Sequence, residues 1–320
     1  MLGIDVGGTK AVLALGRADG RVLAESRLDH WARGAWAQDL ETLVAAARDL
    51  LRDAGLQNAA PDAVGVSAPG PLDPARGVVL AAPNLPGWSD VPIGERLREA
   101  LGAPVRLEND ANAAALAEWR NGAGRGTRNM VYATMSTGIG AGLILDGRLY
   151  RGAHFQAGEF GHVPIRARGR DSAAGLPGTL EAYAGGAALA DRIRADVARG
   201  ARTRILELAA GDPRRINARL WVEAIRSGDA YARGLRDRFV RDTAQGLAGL
   251  VMLLDPEMIV LGTIVQQNPD LFLAGIRERT RARLWDSLRG VRIEPGQLGP
   301  RLPAHAALAV AALEPGDFSR

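Results

Sequence analysis

A glycine-rich turn that joins two strand-like segments occurs twice in this chain, and this repeat constrains the fold more than any other feature. One copy centres on Gly7 and the other on Gly138, 131 residues further along, and an Asp-Gly-Arg turn follows each. Aliphatic and β-branched residues stand on both sides of each turn, which is the pattern of a β-hairpin. The repeat predicts a duplicated hairpin unit, with one copy at the head of each of two domains.

The strand on the far side of each turn decides what the glycines can bind. A dinucleotide-binding fingerprint needs a strand, a glycine-rich turn and then a helix, so neither turn fits it. Successive backbone N–H groups in a tight turn form an anion-binding nest, and glycine lets the backbone approach a phosphate closely. For one copy alone, a tight turn without any ligand is an equal alternative. Two equivalent turns in a duplicated fold favour a phosphate cradle.

Length and composition indicate an α/β protein with more than one core. The chain has 320 residues, of which 47% are hydrophobic and 5% aromatic, so its core must consist mainly of Ala, Leu, Val and Ile. Such cores are typical of helices packed on sheets, and chains of this length usually form two domains. The residue pattern predicts strands at 2–6, 10–16, 21–26, 63–67, 105–107, 130–135, 141–145, 148–150 and 258–261, and helices at 34–54, 111–120, 213–254, 268–288 and 303–313.

The charged residues argue against a nucleic-acid partner. Lys and Arg number 40 against 36 Asp and Glu, which gives a net charge of +4, and all the basic residues except Lys10 are Arg. They alternate with acidic residues, as in RERTRARLWD, and this is typical of solvated helix faces. The survival of Lys10 in such an Arg-biased chain suggests a position that needs a compact ammonium group.

The sequence also limits the cellular compartment. Cysteine is absent, which excludes disulfides, thiolate catalysis and zinc held by cysteine. The longest apolar run, 247–254, is far shorter than the roughly 20 residues that cross a bilayer. Met1 leads directly into LGIDVGGTK, without the basic and apolar regions of a signal peptide. We therefore expect a cytoplasmic protein with no membrane partner.

One short polar segment stands where a buried strand meets a helix. The predicted strand at 105–107 delivers Glu108, Asn109 and Asp110 to the head of an alanine-rich helix. Taken alone, such a carboxylate is more typical of a helix N-cap than of a catalytic base. Its interpretation depends on the motifs around it.

Seven segments of the chain stand in an order that resembles a known family: IDVGGTK, GVSAPGPLD, APNLPGW, ENDANAAALAE, STGIGAGLI, AGEFGH and IVLG. The chain resembles the ROK family of sugar kinases and sugar-responsive repressors over essentially its whole length. The resemblance implies an α/β fold of the actin-like (ribonuclease H-like) ATPase type, with two domains, a duplicated β-hairpin unit and an interdomain cleft for ATP and sugar. The implied domains are 1–116 with the C-terminal helix 303–320, and 117–302.

The same resemblance implies roles for individual residues. Asp110 would be the general base that takes the proton from the 6-hydroxyl of a hexose, most directly glucose, as the γ-phosphoryl group of ATP arrives. The implied substrate-binding residues are Gly70, Asn84, Asn109, Asp110, Glu159, His162 and Glu181. The implied ATP-binding residues are Asp5, Gly7, Gly8, Thr9, Lys10, Thr137, Gly138, Gly262 and Thr263, with Mg²⁺ held near Asp5 through water.

Two departures from the family pattern affect these expectations. The adenosine-side turn reads Gly262-Thr263-Ile264 where the family has two or three glycines, which leaves the nucleotide preference open. The family's structural zinc uses the His of the AGE motif and three Cys, and the three Cys positions here are Ser172, Ala174 and Thr179. We therefore predict no zinc. Without metal the loop that carries Glu181 would be less preorganised, which favours a broad choice of hexose.

Several related functions fit the same motifs. An N-acetylglucosamine or N-acetylmannosamine kinase and a broad-specificity hexokinase share the predicted ligand set, because the motifs do not identify the substituent on carbon 2. A sugar-sensing regulator without a DNA-binding domain is disfavoured, since only three residues precede Ile4 and both hairpins are intact. A scaffold that binds sugar without turnover rests only on the altered adenosine-side turn. The family also implies a homodimer or homotetramer.

Overall fold

The computed structural model describes residues 1–82 and 84–314, so Pro83 of the APNLPGW segment and residues 315–320 of the predicted last helix lie outside the described residues. The first part of the chain contains eight strands and three helices. They are β1 Leu2–Val6, β2 Lys10–Gly16, β3 Val22–Asp29, α1 Trp36–Asp53, β4 Val64–Ala68, β5 Leu72–Asp73, β6 Val78–Ala81, β7 Ser89–Val91, α2 Ile93–Leu101, β8 Val105–Asn109 and α3 Asp110–Asn121.

The remainder of the described chain is mostly helical. Its elements are β9 Met130–Met135, β10 Ile139–Leu145, β11 Arg148–Tyr150, α4 Glu181–Ala184, α5 Gly186–Ala198, α6 Arg204–Leu208, α7 Ala218–Arg226, α8 Ala230–Leu254, β12 Met258–Leu261, α9 Thr263–Gln267, α10 Pro269–Arg281, β13 Arg292–Pro295 and α11 Leu302–Ala311. Short 3₁₀ turns lie at Phe160–His162, Pro213–Arg215, Asp286–Leu288 and Gly299–Arg301.

Two five-stranded sheets repeat one plan. The first has the order β3-β2-β1-β4-β8, and the second has the corresponding order β11-β10-β9-β12-β13. In the first sheet β1 pairs antiparallel with β2 and parallel with β4, and in the second β10 and β11 are antiparallel while β12 and β13 are parallel. The duplicated hairpin unit predicted from the two glycine turns is therefore confirmed. A small sheet of the order β5-β6-β7 is the third.

The chain contacts divide the protein into two compact units. Unit 1 comprises Met1–Tyr132, Gly142–Gly158 and Gln297–Arg320, and unit 2 comprises Ala133–Ala141 and Glu159–Gly296. The domain boundaries implied by the family resemblance stay a prediction.

In unit 1 the last helix packs directly on the first sheet. A Cβ added at Gly3 or Gly65 would overlap atoms of α11, so these glycines allow β1 and β4 to touch the helix backbone. Arg120 of α3 donates to the carbonyl oxygen of Ala309 at 2.9 Å, and Arg106 donates to that of Ala311. Since α1 and α2 cover the opposite face of this sheet, its central strands are buried on both sides, as their apolar runs predict.

Unit 2 is built around an aromatic cluster of three buried rings. Trp221 of α7, Phe239 of α8 and Phe272 of α10 have ring centroids 5.1–5.5 Å apart. The indole N–H of Trp221 donates to the carbonyl oxygen of Ala232 at 3.1 Å, so the polar edge of this buried ring is satisfied. The cluster packs α7, α8 and α10 against one another.

The sequence pattern located the elements better than their ends. The helix predicted over 213–254 is two helices, because the chain turns at Gly228 with a φ of +87° and Asp229 caps the start of α8. The helix predicted over 268–288 ends at Arg281, and β3 extends three residues past its predicted end to Asp29. None of the described helices is long and apolar enough to cross a membrane.

Candidate active site

The first glycine turn is fixed by backbone packing. The N–H of Gly7 donates to the carbonyl oxygen of Lys10 at 3.0 Å, which closes the turn between β1 and β2. A Cβ added at Gly8 would overlap the carbonyl oxygen of Asn84. The turn and the segment that contains the predicted sugar ligand Asn84 therefore lie in direct backbone contact, and only glycine permits that approach.

Two tryptophans and a buried carboxylate support this turn. The indole N–H of Trp31 donates to the carbonyl oxygen of Gly7 at 2.9 Å, and its ring meets that of Trp88 edge to face at 5.9 Å. Trp88 donates to Asp39 at 3.0 Å, and the other oxygen of Asp39 accepts the Arg33 N–H at 2.7 Å. This support was not predicted from the sequence, and Trp31 is only 4% exposed.

Asn109 and Asp110 lie at the junction of β8 and α3, as predicted. The side chain of Asn109 is the helix N-cap and accepts the Ala111 N–H at 2.9 Å, and Asp110 accepts the same N–H at 2.8 Å. Because Asn109 occupies the capping position, the exposed carboxylate of Asp110 stands in the first turn of α3, where the helix dipole stabilises negative charge. A Cβ added at Gly70 would come within 3.2 Å of the Asn109 amide nitrogen.

A buried ion pair underlies this junction. Glu108 is 1% exposed, and one of its oxygens accepts the Asn109 N–H at 3.0 Å and the Asn112 amide at 2.9 Å. Its other oxygen accepts Nε of Arg151 at 2.6 Å, and Arg151 is itself 8% exposed. Glu108 thereby holds Asn109, which precedes Asp110, and Asn112, which lies two residues after it. Sequence reasoning missed Arg151, although its place just after the second hairpin was a usable signal.

Asp5 lies at the end of β1 beside the first turn. The Ser67 hydroxyl donates to its carboxylate at 2.7 Å. Burial raises the pKa of Asp5 to about 7, the hydrogen bond from Ser67 lowers it, the negative charge of Asp110 raises it, and Lys10 lowers it. Two carboxylates and one ammonium group of unit 1 thus interact at the predicted phosphate turn. Thr9 and Lys10 are exposed at the start of β2.

The second turn is held by hydrogen bonds from a different part of the chain. Glu181, at the start of α4, accepts the Ile139 N–H at 2.8 Å. The first residues of α5 donate to this turn as well, from Gly186 to Ser136 at 2.8 Å and from Ala187 to Thr137 at 2.9 Å. Within unit 2, a predicted sugar ligand therefore contacts the predicted second phosphate turn.

Glu159 precedes, and His162 ends, a 3₁₀ turn that packs on β10. A Cβ added at Gly161 would overlap the carbonyl oxygen of Ile139, so this turn approaches the strand closely. Nε2 of His162 lies 3.6 Å from the carboxylate of Glu159, and the Glu159 side chain is 54% exposed. The structure thus brings Glu159, His162 and Glu181 to the same edge of β10, each adjoining the segment around Ile139.

A structural zinc ion does not fit the residues at the corresponding family positions. Nδ1 of His162 and the hydroxyls of Ser172 and Thr179 are buried without a hydrogen-bond partner among the described residues, so the positions are polar. Hydroxyls are not the thiolate donors that a structural zinc site requires. The described ranges also contain no group of three or more His, Asp or Glu side chains arranged to hold a metal.

A cavity of about 650 Å³ adjoins the second turn within unit 2. It combines residues of the turn, the starts of α5 and α7, and α9, namely Ser136, Thr137, Gly186, Ala187, Ala190, Asn217, Ala218, Arg219, Val222, Thr263, Ile264, Gln267 and Asn268. Thr137 and Thr263, predicted as ATP ligands from distant parts of the sequence, are among them. The helical residues were not predicted, because no motif distinguishes Asn217 or Ala187 from an ordinary helix start.

The predicted adenosine-side turn has a left-handed backbone at Thr263. Thr263 has a φ of +41°, in the left-handed region that favours glycine, and it begins the short helix α9. A β-branched residue there costs on the order of 1–3 kcal/mol. The N–H of Gly262 donates to the carbonyl oxygen of Ala133 at 2.9 Å, which ties the turn to β9.

Comparison with known proteins gives consistent matches over nearly the full chain. Residues 1–312 match the ROK family. A glucokinase of Thermotoga maritima is 32% identical over 279 residues, which cover 87% of this chain and 86% of that protein. A ROK hexokinase of Thermus thermophilus is 35% identical, with a TM-score of 0.82 over 97% of each chain. A ROK family glucokinase of Streptomyces griseus, solved with glucose and AMPPNP, is 31% identical, with a TM-score of 0.80 over 97% of this chain and 98% of that one.

The sequence and structural matches agree with the architecture described above. The two sheets of equivalent strand order and the solved relatives establish the actin-like ATPase fold with two domains. Motifs that are weak separately occur here in one chain and in one order. The family match spans almost every described residue, and on this evidence the chain belongs to the ROK family.

Proposed function

We propose that this protein transfers the γ-phosphoryl group of ATP to the 6-hydroxyl of a hexose, with glucose as its preferred substrate and Asp110 as the general base. The chain is an ATP-dependent sugar kinase of the glucokinase and hexokinase type. The observation that carries the proposal is the carboxylate of Asp110 at the head of α3, beside the charged groups of the first glycine turn. The glucokinase relatives of Thermotoga maritima and Streptomyces griseus support glucose as the substrate.

The proposed reaction makes one O–P bond and breaks another. The sugar oxygen attacks the γ-phosphorus, the bond to the oxygen that bridges the β- and γ-phosphates breaks, and ADP leaves. The proton of the sugar hydroxyl passes to the Asp110 carboxylate, which is ionised because it stands at a helix N-terminus in solvent contact. Glu108 accepts the N–H of Asn109 and Asn109 accepts the N–H of Ala111, so the backbone on both sides of Asp110 is fixed before substrate binds.

Unit 2 supplies the proposed nucleotide site. The cavity of about 650 Å³ is of the size that binds a small organic ligand, and Thr137 and Thr263 lie on its wall. The second turn offers backbone N–H groups for phosphate oxygens, in the manner of an anion-binding nest. Arg219 lies on the same wall and is the one charged side chain among the lining residues, so we propose that it contacts the phosphates.

Magnesium fits the donor set of unit 1. Mg²⁺ in phosphoryl-transfer sites takes one or two carboxylates, several waters and substrate phosphate oxygens, and it needs no larger protein cage. Burial raises the pKa of Asp5 to about 7, so a cation bound nearby would favour its ionised form. Asp5 would hold the hydrated ion, which supplies neutralising charge to the phosphates when bound.

The proposed sugar ligands include six polar side chains, namely Asn84, Asn109, Asp110, Glu159, His162 and Glu181. A set of this kind discriminates among epimers, because a wrong sugar leaves a buried donor or acceptor without a partner. Relative phosphorylation rates distinguish a preference for glucose from a broad range of hexoses or an acetamido sugar.

A coupled assay of ADP release tests the proposal. The wild-type protein is assayed with ATP and Mg²⁺ against glucose, mannose, fructose, N-acetylglucosamine and N-acetylmannosamine. We expect the highest kcat/KM with glucose. We expect Asp110→Asn to lower kcat by roughly a thousandfold, because a positioned general base contributes about 10²–10⁴-fold. Asp62→Asn, at an exposed loop position, is the matched control and should keep full activity.

Each alternative has its own outcome in this assay. Comparable rates on several hexoses would mean a broad hexokinase, and a faster acetamido sugar would mean an amino-sugar kinase. Absence of sugar-dependent ADP release in the wild type, with sugar binding retained, would replace the kinase with a sugar-sensing regulator. Full activity of Asp110→Asn would remove the assigned base.

A further inference from the structure

The loop of residues 163–180 carries the chain from His162 to Glu181, two of the proposed sugar ligands. Its two sides are joined by backbone hydrogen bonds, from Ile165 to Gly178 at 2.9 Å and from Leu180 to Val163 at 3.0 Å. An isolated bridge pairs Pro164 with Thr179, and a second pairs Asp171 with Pro177. These contacts shape the loop internally, but they do not attach it to the rest of unit 2.

Arg166 provides that attachment. Its guanidinium donates to the carboxylate of Asp242 on α8 at 2.8 Å, and Asp242 is only 2% exposed. The same guanidinium lies 4.0 Å above the centre of the Tyr183 ring. Tyr183 belongs to the four-residue helix α4, which begins with Glu181. One side chain of the loop therefore links the long helix α8 to the short helix that carries the proposed sugar carboxylate.

We propose that Arg166 is a positioning residue for Glu181, and that its bridge between Asp242 and Tyr183 orders this loop without a metal ion. The assignment of Glu181 as a sugar ligand rests on the proposed function. The bridge itself rests on contacts within unit 2. The residues at the family's zinc positions do not fit that metal, so the loop needs another source of order.

The chemistry of arginine suits this role. A guanidinium is planar, always charged, and able to donate to a carboxylate with one edge while its face lies on an aromatic ring. A buried carboxylate makes the ion pair stronger than an exposed one, because solvent screens it less. Neighbouring contacts act in the same direction. The Arg170 N–H donates to the Tyr183 hydroxyl at 3.0 Å, and Gln245 of α8 donates to the Ile165 carbonyl at 2.8 Å.

Arg241 supplies a matched control within the same ion pair. It lies on α8 beside Asp242 and approaches the same carboxylate oxygen at 3.2 Å. Removal of Arg166 therefore leaves Asp242 with one cationic partner, so the variant removes the charged link between the loop and α8, keeps the Gln245 link, and leaves no buried charge without a partner. Removal of Arg241 subtracts the same charge but leaves the loop attached.

The first test compares Arg166→Ala, Arg166→Lys and Arg241→Ala in steady-state kinetics with glucose. We expect Arg166→Ala to raise the KM for glucose about tenfold with a smaller change in kcat, because Glu181 is displaced more easily before the sugar binds. Arg166→Lys keeps the charge but loses the planar contact with Tyr183, so its KM should fall between the alanine variant and the wild type. Arg241→Ala should stay within about twofold of the wild type.

The second test does not depend on turnover. Hydrogen exchange of the amides in 163–184 should be about tenfold faster in Arg166→Ala than in the wild type or Arg241→Ala, with or without added Zn²⁺. If the protein phosphorylated no sugar, the proposed function would be wrong. The exchange result would still show whether Arg166 orders the loop. Equal exchange and equal KM in Arg166→Ala and the wild type would overturn the bridge, as would rescue of Arg166→Ala by Zn²⁺.

Discussion

The two glycine turns have the same strand-turn-strand plan but are supported in opposite ways. The first turn is held mainly by close packing of Gly8 against the backbone of Asn84, with one hydrogen bond from the Trp31 indole to the Gly7 carbonyl oxygen. The second is held by hydrogen bonds, from the Ile139 N–H to the Glu181 carboxylate and from α5 to the turn carbonyls. The two hairpins thus occupy equivalent places in their sheets but have different neighbours.

This difference predicts how each turn responds to change. A contact between backbones leaves no room for added atoms, so substitution at the first turn should cause an all-or-none loss. A hydrogen bond to a side-chain carboxylate can be weakened in steps, so substitution at the second should give graded effects. The first turn is also the one whose neighbouring carboxyl, Asp5, has a pKa raised to about 7.

Gly8→Ala should produce the largest effect. The new Cβ would overlap the Asn84 carbonyl oxygen, and neither backbone segment can move without displacing the turn or the proposed sugar ligand. We expect kcat/KM for glucose to fall by more than about a thousandfold, because misplacement by roughly 1 Å costs about a hundredfold and this change affects both substrates. Gly249→Ala on α8, where a Cβ meets open space, is the control.

The purified Gly8→Ala protein must also be checked for folding by circular dichroism. If kcat/KM of Gly8→Ala stayed within tenfold of the wild type, the first turn would tolerate an added Cβ as well as a turn held by hydrogen bonds. The contrast between packed and hydrogen-bonded support would then be wrong.

Asp5 should produce the next largest effect, a dependence of the free energy of unfolding on pH. Its pKa is about 7 in the folded protein against an ordinary value of 3.8, so between these values the folded state keeps a proton that the unfolded state has lost. This group therefore contributes stability that is present below pH 3.8 and is lost as the pH rises to 7. The loss is on the order of 4–5 kcal/mol at most, since each unit of pKa is worth about 1.4 kcal/mol.

Urea unfolding in EDTA at intervals between pH 4 and pH 8 measures this dependence. Asp5→Asn cannot titrate, so its free energy of unfolding should fall less than that of the wild type across this range. Magnesium with nucleotide should restore the stability of the wild type near pH 7 and have less effect on Asp5→Asn. Parallel pH profiles for the two proteins would contradict the assignment of the raised pKa to Asp5.

Glu181→Gln tests the second turn. The amide oxygen still accepts the Ile139 N–H, but the charge that strengthens the hydrogen bond is lost, and such bonds are worth about 1.5–3 kcal/mol against about 1 for neutral ones. We expect kcat/KM to fall by roughly 10–100-fold, with KM raised for both glucose and ATP, because this carboxylate touches the turn and is the proposed sugar ligand. Glu207→Gln, at an exposed position on α6, is the control.

The sequence predicted the parts of this molecule that repeat or alternate. The strands at 2–6, 10–16, 130–135, 148–150 and 258–261 have the predicted bounds, because alternation and glycine turns fix both their length and their ends. The helices of 181–208 were missed, because α4 and α5 begin without a side-chain cap and α6 has only five residues. The break at Gly228 was missed as well, since the apolar periodicity continues on both sides of it.

The candidate site likewise has residues that the sequence predicted and residues that it did not. Motif residues such as Asn109, Asp110 and Thr137 lie where local signals place them, at a helix head or a tight turn. Their supports come from segments far away along the chain, such as Arg151 beneath Glu108 and Asp242 beside Arg166. Pairings of this kind depend on tertiary packing, and a single sequence contains no periodic signal for them. A buried ion pair looks in the sequence like two ordinary surface charges.

Trp31→Phe should give the smallest effect. It separates the contribution of packing at the first turn from that of a single hydrogen bond. Phenylalanine keeps the aromatic contact with Trp88 but cannot donate to the carbonyl oxygen of Gly7, so the turn loses one hydrogen bond and keeps its packing. One such bond is worth about 1 kcal/mol, and we expect KM for ATP to rise about fivefold with the KM for glucose unchanged. Trp285→Phe, at an exposed ring, should change neither constant. A loss as large as that of Gly8→Ala would mean that the first turn depends on its hydrogen bond rather than on the contact with Asn84, and that both turns are held by the same kind of force.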